Sequence, residues 1–227
     1  MQQAVCSVPP LVIPALVQGA NKTLIFCHGR GDTAYGWFDT FNKSSRLPNV
    51  KYILPTAANR PYSFHGGEPC TAWYDVHNNK GKRLEDNDTI ESARQYLYSL
   101  IAEEQKLGTK PENILLGGFS QGGCLSLYAT LSAPLKIGGC VAMSAYLPQK
   151  HLFPQICIEN KETPIWLATG DRDDIITLET VKESVDVINK VNSELNFTII
   201  RGLGHTVTNQ VCLNIIYLVN FGVLGNG

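Results

Sequence analysis

The stretch Ile114-Leu115-Leu116-Gly117-Gly118-Phe119-Ser120-Gln121-Gly122-Gly123-Cys124-Leu125 decides the fold. An apolar run of strand character passes straight into a helix-forming run through Gly118-x-Ser120-x-Gly122. Such a corner is a nucleophile elbow: side chains two residues before and two after the serine would collide, so glycine is required at both places. The turn raises the Ser120 hydroxyl into the open. The backbone N–H of Gln121, at the helix N-terminus, points at the same space. An ordinary Gly-rich strand-to-helix turn is the plain alternative, and the pentapeptide alone does not choose between the two.

Outward from the corner, short apolar runs bounded by Gly, Pro and Asn alternate with longer segments of helical period. That pattern predicts an α/β fold, a mostly parallel central sheet with helices on both faces. Strands are expected at Leu24 to Cys27, Tyr52 to Leu54, Ile114 to Phe119, Gly138 to Ser144, Ile165 to Thr169 and Asn196 to Ile200. Helices are expected over Ile90 to Ile101, Cys124 to Leu131, Leu178 to Ile188 and Val211 to Val219, with Asp86 and Asp88 at the positive end of the first. The 227 residues contain no linker, so one domain spanning 1–227 is expected. Pro55 to Asn87 breaks the alternation with Pro, Gly, Asn and charge around one island, Thr71 to Val76. A loop of that length inside a domain usually serves function, here as a wall over the site.

Composition removes several classes of function. Hydrophobic residues make up 44% and charged residues 17%, against about 25% charged in typical globular proteins, so disorder is excluded. The net charge of −1 comes without a basic block, which argues against nucleic acid or an anionic membrane as partner. No apolar run reaches the roughly 18 residues of a membrane span, Ile215 to Val219 and the Pro-broken Val8 to Val17 being the longest candidates. Met1 to Ser7 lacks a positive start and an unbroken apolar centre, so a secretory signal is not expected there. Seven cysteines, an odd number without Cys-x₂₋₄-Cys spacing, read as small buried hydrophobes of a reducing compartment rather than disulfides or zinc ligands. Four Asn-x-Ser/Thr sequons pull weakly toward secretion, and the cytoplasm is the expected location.

A serine hydroxyl needs a histidine base, itself oriented by a carboxylate. In this fold the order is serine, acid, histidine, each after the C-terminal end of a strand. Gly170-Asp171-Arg172-Asp173-Asp174-Ile175-Ile176 follows one expected strand, and Gly202-Leu203-Gly204-His205-Thr206 follows the next. Of five histidines only His205 stands on a Gly-rich loop after the last strand; His28, His65, His77 and His151 read as surface or core residues. Asp171, Asp173 and Asp174 compete for the acid's place, and local composition does not choose. A calcium loop from these aspartates lacks the central glycine and closing glutamate. After the first strong strand comes His28-Gly29-Arg30-Gly31-Asp32, which offers the Arg30 backbone N–H as a second oxyanion donor opposite Gln121. As a phosphate loop it fails, because no Gly-Lys-Ser/Thr follows.

From about Leu11 to about Phe221 the chain resembles the acyl-protein thioesterase and lysophospholipase-like carboxylesterase family of α/β hydrolases. The resemblance is carried by Phe26 to Thr33, Trp73-Tyr74-Asp75, Gly117 to Gly123, Ser144-Ala145-Tyr146-Leu147-Pro148 and the Gly-x-x-Asp and Gly-x-x-His loops. It implies Ser120 as nucleophile, His205 as base and, by the spacing from Gly170, Asp173 as acid, with Arg30 and Gln121 as the oxyanion pair. It also implies hydrolysis of thioesters and esters of medium or long acyl chains, including S-acyl groups on protein cysteines, without metal or cofactor. Trp73, Tyr146, Leu147 and Ile176 are the expected acyl-groove residues. The expected partners are an acylated protein or a lipid or small ester; at most transient membrane contact and a monomer or weak homodimer are expected. A small-ester carboxylesterase and a non-catalytic receptor on the same scaffold are the alternatives. Two positions depart from the family pattern. Arg30 replaces a small or apolar residue, which predicts a preference for anionic acyl donors. The chain begins Met1-Gln2-Gln3 with its first cysteine at Cys6, so a lipid anchor beside the initiator is not expected.

Overall fold

The structure, a computed structural model, describes residues 5, 6, 8–44, 46–80 and 82–208. The first part of the chain forms β1 (Leu11–Ile13), β2 (Lys22–Cys27), α1 (Tyr35–Asp39) and β3 (Val50–Leu54). Four short strands follow, β4 (Asn59–Pro61), β5 (Pro69–Thr71), β6 (Val76–Asn79) and β7 (Lys82–Glu85), and then α2 (Asn87–Lys106). The second part contains β8 (Ile114–Phe119), α3 (Gln121–Leu131), β9 (Gly139–Met143), β10 (Ile165–Gly170), α4 (Leu178–Ile188) and β11 (Leu195–Ile200). Seven strands pair in the order β1-β3-β2-β8-β9-β10-β11, parallel except where β1 runs against β3. This is the expected mostly parallel sheet of an α/β hydrolase.

Strand β2 shows why the pattern reads as it does. Leu24 and Phe26 join an apolar cluster on the face covered by α1, while Ile25 and Cys27 join a larger one with α2, α3 and α4. A parallel strand covered on both faces is a continuous apolar run rather than an alternating one. On α2, Ile90, Ala93, Leu97, Leu100 and Ile101 are buried along one stripe. Asp86 caps its start by accepting the Thr89 N–H at 2.9 Å. Glu104 is buried on the same helix, where the Thr23 hydroxyl (2.8 Å) and the Lys51 ammonium (2.6 Å) satisfy it. A buried carboxylate so far from the active corner is thus a structural pair rather than chemistry.

The structure departs from the sequence reading in several places, the first being helix α1 over Tyr35–Asp39, where no helix is expected. Leu11–Ile13 forms an edge strand within the Pro-broken run, three residues being all that Pro10 and Pro14 leave. The supposed loop from Pro55 to Asn87 contains two ladders, β4 with β5 and β6 with β7. The helix expected over Val211 to Val219, with Cys212 inside it, lies outside the described residues. Among the described residues, no helix is long and apolar enough to cross a membrane. All six described cysteines are unpaired, and burial pushes the Cys124 and Cys140 thiols up to about 12.

Candidate active site

Ser120 occupies the junction of β8 and α3 with φ +53° and ψ −123°, a conformation costing a non-glycine residue on the order of 1–3 kcal/mol. The surroundings hold it there. Its N–H donates to Met143 O on β9 at 2.9 Å. The buried Ser126 hydroxyl lies 2.8 Å from the Gly117 and Gly122 carbonyl oxygens. A Cβ on Gly118 would strike the Gly122 backbone, as the elbow requires. A Cβ on Gly122 would strike the carbonyls of Cys27 and His28, so this glycine also lets the end of β2 come close. The corner is fixed by backbone against backbone.

The loops after β10 and β11 bring the other two groups to the serine. His205 Nε2 lies 2.9 Å from Ser120 Oγ, and His205 Nδ1 lies 2.8 Å from Asp173 Oδ2. Asp173 Oδ1 accepts the N–H groups of Ile176 (2.8 Å) and Ile175 (3.0 Å). Burial would raise the Asp173 carboxyl, but the bonds from His205 and these two N–H groups outweigh it and hold it below its ordinary value. Asp173 is therefore ionised and faces Nδ1, which makes Nδ1 the protonated nitrogen and Nε2 the acceptor for the serine proton. Asp171 does something else: its Oδ1 accepts the Gly202 N–H at 2.6 Å, and the Arg172 N–H reaches Leu203 O at 2.9 Å. Asp174 is exposed. A Cβ on Gly170 would strike the Leu203 carbonyl, so glycine there lets the histidine loop lie against the acid loop.

The loop after β2 passes beside Ser120, where a Cβ on Gly29 would stand 3.4 Å from the serine Cβ. It is fixed by Gly31 N–H to Thr71 O (2.8 Å), Asp32 N–H to Gly29 O (3.2 Å) and Trp73 Nε1–H to His28 O (2.8 Å). None of these bonds uses the Arg30 N–H, and the Gln121 N–H belongs to the first turn of α3, whose donors have no partner within the helix. The Gln121 side chain pins the wall, accepting from Trp73 N–H (2.9 Å) and donating to Tyr74 O (2.8 Å). His28 accepts the Ala57 N–H on Nε2 at 3.0 Å and so carries its proton on Nδ1, 2.6 Å from Gly29 O. It is a core histidine, as expected, held below its ordinary pKa by burial.

Ser120 and His205 open on a cavity of about 310 Å³. Of the expected groove residues, Tyr146 and Ile176 line this cavity. Leu147 lines an adjoining hollow of about 710 Å³ instead. Trp73 lines neither: it is fully buried, and the indole N–H spent on His28 O makes it a strut beneath the loop rather than a groove wall. Sequence reasoning missed Tyr62, Phe64 and Arg83, which line the cavity from the wall and bear no motif of their own.

Fold and site together define an α/β hydrolase of the serine esterase class. The chain belongs to the phospholipase/carboxylesterase family, whose profile matches residues 11–219. It is 34% identical to acyl-protein thioesterase 1 of Neurospora crassa over 209 residues, 87% of this chain and 85% of that protein. Among solved structures it resembles SOBER1 of Arabidopsis thaliana with a TM-score of 0.81, at 27% identity over 87% of this chain and 97% of that one. Acyl-protein thioesterase 2 of Zea mays gives 0.79 at 25% identity, covering 92% and 98%.

Proposed function

We propose that this protein cleaves acyl thioesters and esters, S-acyl groups on protein cysteines foremost, through an acyl-enzyme on Ser120. The carrying observation is the series Ser120 Oγ, His205 Nε2 and Nδ1, Asp173 Oδ2, with successive contacts of 2.9 and 2.8 Å. Ser120 Oγ attacks the acyl carbonyl while Nε2 takes its proton. The imidazolium that forms is stabilised by the ionised Asp173. Negative charge on the carbonyl oxygen is met by the N–H groups of Arg30 and Gln121. Nε2 then protonates the departing thiolate or alkoxide, and water, deprotonated by the same nitrogen, releases the acid. The thioesterase names of the relatives support the substrate class, and the cavity, which shares Phe64, Tyr146 and Ile175 with a larger hollow beside it, supports room for an acyl chain. The unpaired cysteines support a reducing, cytoplasmic setting.

A fluorophosphonate probe tests the reading, since it labels only a serine activated in this way. Wild type is expected to be labelled and to hydrolyse an S-octanoyl thioester, and Ser120→Ala to do neither. Labelling or turnover that survives in Ser120→Ala removes the proposal.

A further inference from the structure

Two guanidiniums border the cavity that contains Ser120, one on each of two unrelated segments. Arg30 comes from the loop after β2 and Arg83 from β7 in the wall. Each lies over an aromatic ring of the same wall: Arg30 Cζ is 4.8 Å from the Tyr62 ring centre, and Arg83 Cζ is 5.5 Å from that of Phe64. Arg83 also donates through Nη2 to Ile175 O at 2.8 Å, which ties it to the loop that bears Asp173. A guanidinium held over a ring face by cation–π attraction keeps its N–H groups available, so the rings position the cations without consuming their donors.

Neither arginine is paired with a carboxylate among the described residues. The one carboxylate lining the cavity, Asp32, is engaged by the Thr33 N–H at 2.7 Å. In the adjoining hollow, Glu85 accepts the Tyr146 hydroxyl at 2.7 Å. His65 at the same rim is held below its ordinary pKa, by desolvation first and then by Arg30 and Arg83, so both charges reach one place. Two arginines without an ion-pair partner beside the nucleophile thus leave guanidinium N–H groups for an anionic group of the substrate.

We infer that Arg30 and Arg83 form an anion clamp that selects acyl donors whose leaving group carries a carboxylate or phosphate near the scissile bond. The inference rests on the hydrolase reading of Ser120 and deepens it. The test compares kcat/KM for matched octanoyl donors. One set is the thioesters of N-acetylcysteamine, neutral, and of 3-mercaptopropionate, a carboxylate. The other is 1-octanoylglycerol against its 3-phosphate. Wild type is expected to favour the anionic member of at least one pair by about tenfold, the size of one charge-assisted hydrogen bond in a partly exposed site. The pair that responds tells carboxylate from phosphate.

Arg83→Gln is expected to lose most of that ratio and Arg83→Glu to invert it, while Arg30→Met lowers it by a similar factor. Added salt compresses the wild-type ratio and leaves that of Arg83→Gln nearly flat. Arg83 is exposed, so its variants are expected to melt with wild type and the ratio reads recognition rather than folding. Equal ratios in wild type and Arg83→Glu overturn the clamp. That outcome is distinct from failure of the hydrolase reading, which shows as neutral-thioester turnover independent of Ser120.

Discussion

The corner from Gly117 to Gly123 and the wall from Pro55 to Asn87 face each other across one cavity, and they are held in opposite ways. At the corner, backbone meets backbone: the glycines are where they are because a Cβ at 118 or 122 has nowhere to go. In the wall, side chains from elsewhere fix the position, with Gln121 holding Trp73 and Tyr74 and the Trp73 indole holding the His28 carbonyl. Reaction geometry is thereby set by sterics that tolerate almost no substitution. Recognition rests on polar contacts that can be altered one at a time. The two regions should therefore fail differently.

The largest effect belongs to the corner and the base it faces. Removing Ser120 or His205 is expected to lower kcat by on the order of 10⁶, and removing both by little more, because the groups act as a unit. Single-turnover assays on Ser120→Ala, His205→Ala and the double variant read this directly. Additive losses would show that the serine and histidine work separately, and the corner would lose its claim to be one device. Next comes Asp173→Asn, expected to cost about 10⁴ in kcat by removing the carboxylate that holds the imidazole's tautomer. Asp171→Asn gives up only a bond to the Gly202 N–H and should remain within a few-fold of wild type. If Asp171→Asn is the inactive variant, the acid has been misassigned.

This division also explains what could be read in the sequence. Strand β8 and helix α4 begin and end where their apolar patterns do, because both patterns are uninterrupted. Helix α3 starts three residues before the apolar run at Cys124, since Gly122 and Gly123 satisfy the turn and carry no periodic signal. The serine, histidine and Arg30 loops could be singled out because each stands in a Gly-rich turn after an apolar strand run, and the structure brings all three loops to one place. The choice among three aspartates was not in the local composition; it came from a family resemblance, and hydrogen bonds between loops distant in sequence now separate them. The wall was illegible for a related reason. In β4 the inward residue is Arg60, 3% exposed between the exposed Asn59 and Pro61, so the strand reads as polar throughout. Arg83 reaches the cavity only because β7 folds back on β6, a pairing no local rule announces.

A smaller effect separates the two roles of Gln121, which belongs to both regions. Gln121→Ala keeps the backbone N–H in the corner but releases Trp73 and Tyr74. Its kcat/KM is expected to fall by up to about 100-fold, the scale associated with misplacing a site by an ångström. Limited proteolysis should show new cutting within residues 55–87 and none near Ser120. Gln121→Glu retains the acceptor for the Trp73 N–H but sets a buried carboxylate oxygen against Tyr74 O, acceptor against acceptor, so it should not recover the loss. Activity unchanged in Gln121→Ala would mean that the wall stands without the pin, and the contrast drawn above would be wrong.

The smallest effect is read through stability and concerns His28, which joins the wall to the loop after β2 by accepting the Ala57 N–H. Burial holds its pKa below the ordinary 6.5, so in the folded state it stays neutral at pH values where the unfolded chain binds a proton. The unfolded state then carries the extra proton, and ∂ΔG/∂pH for unfolding is positive. Stability is therefore complete above about pH 6.5 and is lost as pH falls below it, by at most about 1.4 kcal/mol per pH unit for one group. Protonation also destroys the acceptor for Ala57, so the loss should begin in the wall. His28→Gln keeps an amide donor and acceptor but no titrating ring. Denaturant midpoints of wild type should drop between pH 7.5 and 5.5 by more than those of the variant, with residues near Ala57 first to exchange their amide hydrogens. Parallel pH slopes in the two proteins would place the acid sensitivity elsewhere and leave His28 a packing residue alone.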